Sequence, residues 1–370
     1  TNMKKIALLT PFDTGNIGTV LQAYATQTLI KENGCETDLI YYHYDSIQKP
    51  FLISNLFKRG LKNYIGSIAG FLMRSPARKS LWRFIKTHLN LTEKMTHEQL
   101  EELAGRYDKV IVGSDCVWNG EAFTLETAYL LDFIEDDSKK GNFASSFACD
   151  AIPDEQKEIF MRYLSRFPIL SVREDKGKEL IRELTGKEAT VVLDPTLVKD
   201  SFFWTEVAAE SKLQITGEYI FVAEYAISAP LLRDAEKLAE RYHLPLYFLY
   251  PPKGKKAKGK VLLTSSPQDV LYLIQNAKFV FTDSYHMMIF SINFSKEFFA
   301  YQTKTNLPAI SKYHSILKIL HLERRLFPTE SMMQNPVDIQ KCPAIDYGAV
   351  SEILEKERKV SKDYLDGVLK

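Results

Sequence analysis

The stretch Phe281-Thr282-Asp283-Ser284-Tyr285-His286 packs an acid, a hydroxyl and an imidazole into a few positions. It follows the apolar run "KFVF" and precedes a helical apolar pattern through Phe290, so these groups fall in a strand-to-helix turn. Open α/β sheets bind ligands beyond the carboxyl ends of their strands, and helix N-termini attract anions. Capping explains Asp283 or Ser284 but leaves His286 in the first helical turn without a role. Three more loops fall at predicted strand ends. Asp13-Thr14-Gly15-Asn16-Ile17-Gly18 can bring backbone N–H groups close to an anion, or be a plain turn. Gly113-Ser114-Asp115-Cys116-Val117-Trp118-Asn119 sets an acid beside a Trp and an Asn, as in a substrate pocket. Ser171-Val172-Arg173-Glu174-Asp175 puts a guanidinium at a strand-to-helix junction, where it can grip a carboxylate or phosphate, or pair with an acid such as Glu174 or Asp194. One Arg, one His and two acids suit acid–base chemistry on an anionic small molecule.

The elements that must hold these loops alternate. Short apolar strands are predicted at "KKIALLT", "TDLIYY", "YDKVIVG", "KGNFASSFA", "FPILSV" and "ATVVLDP", with helices between them. A second cycle starts near Gly217 with "EYIFVAEY", "LPLYFLY", "KFVFTD" and "EFFAYQ". This is the pattern of two doubly wound α/β domains with parallel sheets, facing each other across a cleft. The expected division is 1–205 and 206–345, followed by a polar C-terminal helix over 346–370. A chain of 370 residues is long enough for two cores.

The net charge of +1 conceals one segment. From Ser46 to Thr92 there is no Asp or Glu but nine Lys and Arg, Arg78, Lys79 and Arg83 among them, interleaved with Phe, Leu, Ile and Trp82. Two readings stand for 46–92: a contact with an anionic membrane surface or a lipid-linked phosphate, or an insertion that packs on the domain with a basic outer face. Nucleic acid is a weaker option, because no nucleic-acid motif accompanies the charge. The four scattered cysteines include no CxxC, which favours a reducing, cytoplasmic setting. The seven histidines show no HxH or HxxxH spacing, so no metal site is expected. GxSxG and GxGxxG are absent, which disfavours serine hydrolysis and hydride transfer.

"TGNIGTVLQAYA", "VIVGSDCVWN", "LLDF", "FASSFA", "SVREDKGKELI", "VVLDPTLV" and "FTDSYHMMIFSINF" occur in the order and approximate spacing of the polysaccharide pyruvyl transferase family, which the chain resembles from about Lys4 to Leu322. Met287 stands where that family usually has Gly, and Ser284 where some members carry Arg. The resemblance implies two Rossmann-like domains in a GT-B-like arrangement. It implies transfer of a pyruvyl unit from phosphoenolpyruvate (PEP) to a sugar diol in cell-surface glycan synthesis, with PEP as a donor substrate and no cofactor. The acceptor would be a sugar or lipid-linked oligosaccharide, met in the cytoplasm with peripheral contact at the inner membrane face. In that chemistry His286 and Asp115 are the acid and base in either order. Arg173 would hold PEP, and Asn16, Gly18, Ser114, Trp118, Asn119, Asp283 and Ser284 would line the site. The rivals are a nucleotide-sugar glycosyltransferase of the same architecture and a catalytically silent scaffold in glycan assembly.

Overall fold

The computed structural model describes residues 3–42, 75–120, 125–223, 228–250, 258–262, 266–303, 306–328 and 339–370. The first half builds β1 (Lys5–Leu9), α1 (Ile17–Glu32), β2 (Glu36–Tyr42), α2 (Ser75–His88), β3 (Leu91–Met95), α3 (His97–Ala104), β4 (Lys109–Val112) and β5 (Lys140–Asn142). The strands form one parallel sheet in the order β3-β2-β1-β4-β5. After α4 (Asp154–Leu164) come β6 (Leu170–Val172), α5 (Asp175–Thr185) and β7 (Ala189–Val191). Parallel bridges from Asp115 to Ser145 and from Ser145 to Val172 carry the first sheet on into the β6–β7 pair. The one-turn helix α6 (Pro195–Val198) and α7 (Ser201–Ala208) lead to the second half.

That half contains β8 (Ile220–Ala223), α8 (Ala229–Tyr242), β9 (Leu246–Phe248), β10 (Lys260–Val261), α9 (Pro267–Asn276), β11 (Phe279–Thr282), α10 (Tyr285–Asn293), β12 (Glu297–Tyr301), α11 (Ser311–Ile319) and β13 (Leu326–Phe327). Its strands are all parallel, in the order β10-β9-β8-β11-β12-β13. Both sheets therefore reverse strand order beside their first strand, at β1/β4 and at β8/β11. These are the switch points at which such sheets bind ligands. The fold is α/β with two Rossmann-like sheets, as the alternating pattern implied.

Each half has an apolar core of its own, and a further apolar cluster runs across both. Leu8, Val20 and Leu21 of the first half cluster with Trp204, Val280, Met288 and Phe290. The Trp204 and Phe290 rings meet edge-on at 5.0 Å. The final helix α12 (Tyr347–Leu369) returns to the first half, where Ser361 Oγ accepts the Leu193 N–H and the Tyr364 ring stacks near Phe143.

Two sequence expectations change here. "KGNFASSFA" leaves the sheet after Asn142: Ala144 and Ala148 take left-handed φ of 56° and 47°, and the Phe147 and Ala148 N–H groups donate to the Glu174 carboxylate. A buried acid thus replaces the strand ladder. Of the basic segment 46–92, residues 46–74 lie outside the described residues. The remainder includes α2, which buries Leu81, Phe84 and Ile85 and exposes Lys79, Arg83 and Lys86. This part is an amphipathic helix docked by its apolar face.

Candidate active site

Asp115 ends the β4 turn with φ of +78°, a conformation costly for any residue with a side chain. Its neighbours hold it there. The Asp115 carbonyl accepts the Ser146 N–H, Oδ1 accepts the Cys116 N–H at 2.8 Å, and Oδ2 accepts the Thr19 hydroxyl at 2.7 Å. Thr19 is available because Asn16 caps α1, its Oδ1 accepting the N–H groups of Gly18 and Thr19 at 2.8 and 3.4 Å. Burial pushes the Asp115 carboxyl up, but Arg173, then His286 and Lys312, outweigh it and bring the group down to about 2.

Arg173 is buried beneath this acid. Its Nη1 donates to Asp194 Oδ2 at 2.5 Å and lies 3.4 Å from Ser114 Oγ, while Nη2 is 3.6 Å from Asp115 Oδ1. The guanidinium sits 4.9 Å from the Tyr285 ring centroid. Asp194 caps α6, its Oδ1 accepting the Thr196 N–H and hydroxyl at 2.9 and 2.6 Å. Burial raises the Asp194 carboxyl too, yet His286 and Arg173 hold it well below the usual carboxylate range. From the other half, α10 brings His286 Nε2 to 3.6 Å from Asp194 Oδ2, longer than a hydrogen bond.

Gly18 makes this approach feasible. A Cβ at that position would lie 2.3 Å from His286 Nδ1 and 2.4 Å from Cγ. The absent side chain of α1 is thus the slot that receives the imidazole. Of the two readings of the 13–18 loop, an anion-binding turn or a plain one, the Gly18 N–H fits the plain turn, because Asn16 Oδ1 takes it.

Lys312 of α11 completes the cluster from the second half. Its Nζ is 3.5 Å from Cys116 Sγ and 5.1 Å from the Tyr285 ring centroid. Among the described residues no carboxylate lies within ion-pair distance of it. Arg173, by contrast, has both acids and no exposed side-chain surface. In this conformation the lysine, not the arginine, carries the less compensated positive charge beside Asp115.

Of the residues expected to form a site, Asp115, Ser114, Arg173, His286, Gly18 and Asn16 come together. Ser284 occupies the cap position of α10 and its N–H donates to Thr282 Oγ1, without a side-chain cap bond. The Asp283 carbonyl accepts from Asn306 Nδ2 and Tyr313 Oη, and its Oδ2 lies 3.4 Å from Thr303 Oγ1, which turns it toward the β12–α11 loop. Trp118 is fully buried against Phe147 and Phe167, with Nε1 donating to the Tyr129 carbonyl. Asn119 donates to the Ala148 carbonyl beside it. These two are packed into the first half and, against the expectation, present no pocket wall. Sequence reading missed Thr19 and Lys312 and treated Asp194 only as an ion-pair partner. Lys312 stands in an ordinary amphipathic helix pattern that carries no signal for a site. Among the described residues no group of three His, Cys, Asp or Glu side chains is placed to hold a metal ion.

Solved structures resemble the chain at low identity. UDP-GlcNAc 2-epimerase from Methanocaldococcus jannaschii aligns at 13% identity over 95% of this chain and 91% of that one, with a TM-score of 0.48. UDP-N-acetylglucosamine 2-epimerase from Rickettsia bellii gives 10% identity, 98% of each chain and 0.46. The glycosyltransferase SnogD from Streptomyces nogalater gives 11%, 100% of each chain and 0.41. No curated protein matches the sequence. One family does match, over residues 16–304, a span that contains Asn16, Gly18, Thr19, Asp115, Arg173, Asp194 and His286 and stops short of Lys312. By that match, the chain that brings an aspartate and a histidine together across two Rossmann-like sheets belongs to the polysaccharide pyruvyl transferase family.

Proposed function

We propose that this protein transfers the pyruvyl unit of PEP to two hydroxyls of a sugar, forming a cyclic ketal and releasing phosphate. The observation that carries this reading is that Asp115 and His286 converge on one buried Arg173–Asp194 pair, Asp115 Oδ1 3.6 Å from Arg173 Nη2 and His286 Nε2 3.6 Å from Asp194 Oδ2, in a chain of this family. A proton passes to the PEP methylene carbon, which becomes a methyl group and leaves C2 cationic. One sugar hydroxyl bonds to C2 and loses its proton. The C2–O bond to phosphate breaks, the electron pair leaving with phosphate. The second hydroxyl then closes the ring on C2 and loses its proton.

An acid held near 2 is ionised at neutral pH, so Asp115 can act only as a proton acceptor, a weak one, and not as the donor. That leaves His286 as the donor to the methylene carbon or to the leaving phosphate. Lys312 is the cation we assign to the donor's carboxylate or phosphate. Arg173 keeps Asp115 and Asp194 ionised from beneath. The acceptor we favour is a glycan or its lipid-linked precursor, met in the cytoplasm. The four thiols are unbridged, in keeping with a reducing setting, and among the described residues no helix is long and apolar enough to cross a membrane.

A calorimetric titration with PEP tests the donor assignment without knowledge of the acceptor. Saturable PEP binding that weakens in Lys312→Gln supports it. No PEP binding, with binding of a nucleoside diphosphate instead, moves the protein to nucleotide-sugar chemistry.

A further inference from the structure

The helix that carries His286 at its start ends at Asn293, which is buried and fully engaged. Asn293 Nδ2 donates to the Thr196 carbonyl at 2.9 Å and to the Lys199 carbonyl at 2.8 Å. Its Oδ1 accepts from Arg358 Nη2 at 3.1 Å. Arg358, on the returning helix α12, also donates from Nε to the Leu197 carbonyl at 2.9 Å. Asn293 and Arg358 are 5% and 8% exposed, so these bonds form away from solvent, where leaving one unmade is costly. The carbonyls they take belong to α6 and the residue after it, and α6 is the turn whose cap is Asp194. Two helices therefore lie side by side. Their starts bear Asp194 and His286, 3.6 Å apart, and their ends are joined by one amide and one guanidinium. α10 spans only about 10 Å between His286 and Asn293 at 1.5 Å per residue, so a shift at one end is delivered to the other.

We propose that Asn293 and Arg358 are positioning residues that set the register of His286 against Asp194. The pair couples three segments: α6 from the first half, α10 from the second and α12 returning between them. Arg358 acts through Asn293, because its Nη2 fixes the amide flip that lets Nδ2 serve both carbonyls. That this register serves catalysis rests on the pyruvyl-transfer reading. The register itself rests on the bonds alone.

The experiment compares Asn293→Leu, Arg358→Met and Arg358→Lys with Val350→Ala, which thins the buried face of the same helix α12 and controls for general loosening. The first readout needs no substrate. Diethylpyrocarbonate acylates accessible imidazoles, and peptide mass mapping separates His286 from the other histidines. His286, 5% exposed, is expected to label several-fold faster in Asn293→Leu and Arg358→Met than in the wild type or Val350→Ala. The second readout is turnover with PEP. kcat is expected to fall by up to about 10²-fold, the typical cost of misplacing a reacting group by about 1 Å, while KM for PEP stays within about two-fold. Arg358→Lys, which keeps one donor toward Asn293, is expected to recover part of kcat. Unchanged His286 labelling in both Asn293→Leu and Arg358→Met overturns the proposal, as does labelling that rises equally in Val350→Ala. If labelling responds as expected but the wild type turns over no PEP, the functional reading falls and the positioning role stands.

Discussion

Replacing Gly18 with alanine puts one methyl group where the two halves meet. The added carbon would lie 2.3, 2.4 and 2.5 Å from His286 Nδ1, Cγ and Cβ. Ordinary carbon contacts begin near 3.5 Å, so the imidazole must retreat by about 1 Å. Overpacking of this kind costs about 1–3 kcal/mol. Gly-to-Ala within a helix otherwise stabilises by about 1 kcal/mol, so the clash must overcome a favourable backbone term. A retreat of that size at the reacting group lowers turnover by about 10²-fold. Because His286 Cβ is itself within 2.5 Å, His286→Ala would not relieve the clash, whereas His286→Gly would. The assay is therefore a cycle of melting temperatures for Gly18→Ala in the wild-type and His286→Gly backgrounds, with kcat and KM for PEP measured for Gly18→Ala alone. The expected result is destabilisation in the wild type, neutrality or stabilisation in His286→Gly, and a loss confined to kcat. A Gly18→Ala protein that melts higher than wild type and keeps full turnover would refute the slot. A loss confined to KM would return Gly18 to the role of an anion-binding turn.

Three further outcomes follow from the charges. Asp115 lies below an unfolded carboxyl of about 3.9, so it stabilises the fold above that pH and loses the contribution as pH falls through about 2. Asp115→Asn should flatten the acid limb of the stability curve over that window, by roughly 2 kcal/mol; urea titrations at stepped pH giving the wild-type slope would contradict this. Lys312→Gln should weaken PEP binding by about 1.5–3 kcal/mol, the worth of a charged hydrogen bond, with the fold intact; unchanged affinity by calorimetry would remove Lys312 from the donor site. Replacing Lys79, Arg83 and Lys86 on the exposed face of α2 with Gln should reduce co-sedimentation with anionic liposomes, by about 1 kcal/mol per charge at low salt. Binding that is negligible for the wild type, or equal for neutral vesicles, would leave that face as solvated surface.

Much of this was legible in the residues because each switch-point strand is a continuous buried run followed by a polar turn. "IALL", "KVIV" and "FVFT" identify β1, β4 and β11, and the loops after them are where Asp115 and His286 were expected. What stayed hidden was decided by partners distant in sequence. "FASSFA" has strand-like composition, but Glu174 withdraws its N–H groups from the ladder. Trp118 looked like a pocket wall because its hydrogen-bond partner, the Tyr129 carbonyl, is supplied by a single 3-10 turn, Thr127–Leu130, with no recognisable signal. Arg173 was visible as a cation at a strand end, but which side of it would be sealed depended on Asp194, Ser114 and Tyr285 converging from three elements. Lys312 could not be separated from any other helix lysine until α11 was seen against Cys116.

The central claim is that His286 and Asp115 together move a pyruvyl unit from PEP to a sugar diol. The most direct measurement is mass spectrometry of the products formed from PEP and a panel of oligosaccharide and lipid-linked acceptors in deuterated water. The account predicts one phosphate released for each pyruvate ketal formed, a ketal methyl group carrying one deuteron from solvent, and a signal lost in His286→Ala by roughly 10²–10⁴-fold. Phosphate release without a ketal, a ketal methyl group free of deuterium, or full product formation by His286→Ala would contradict it.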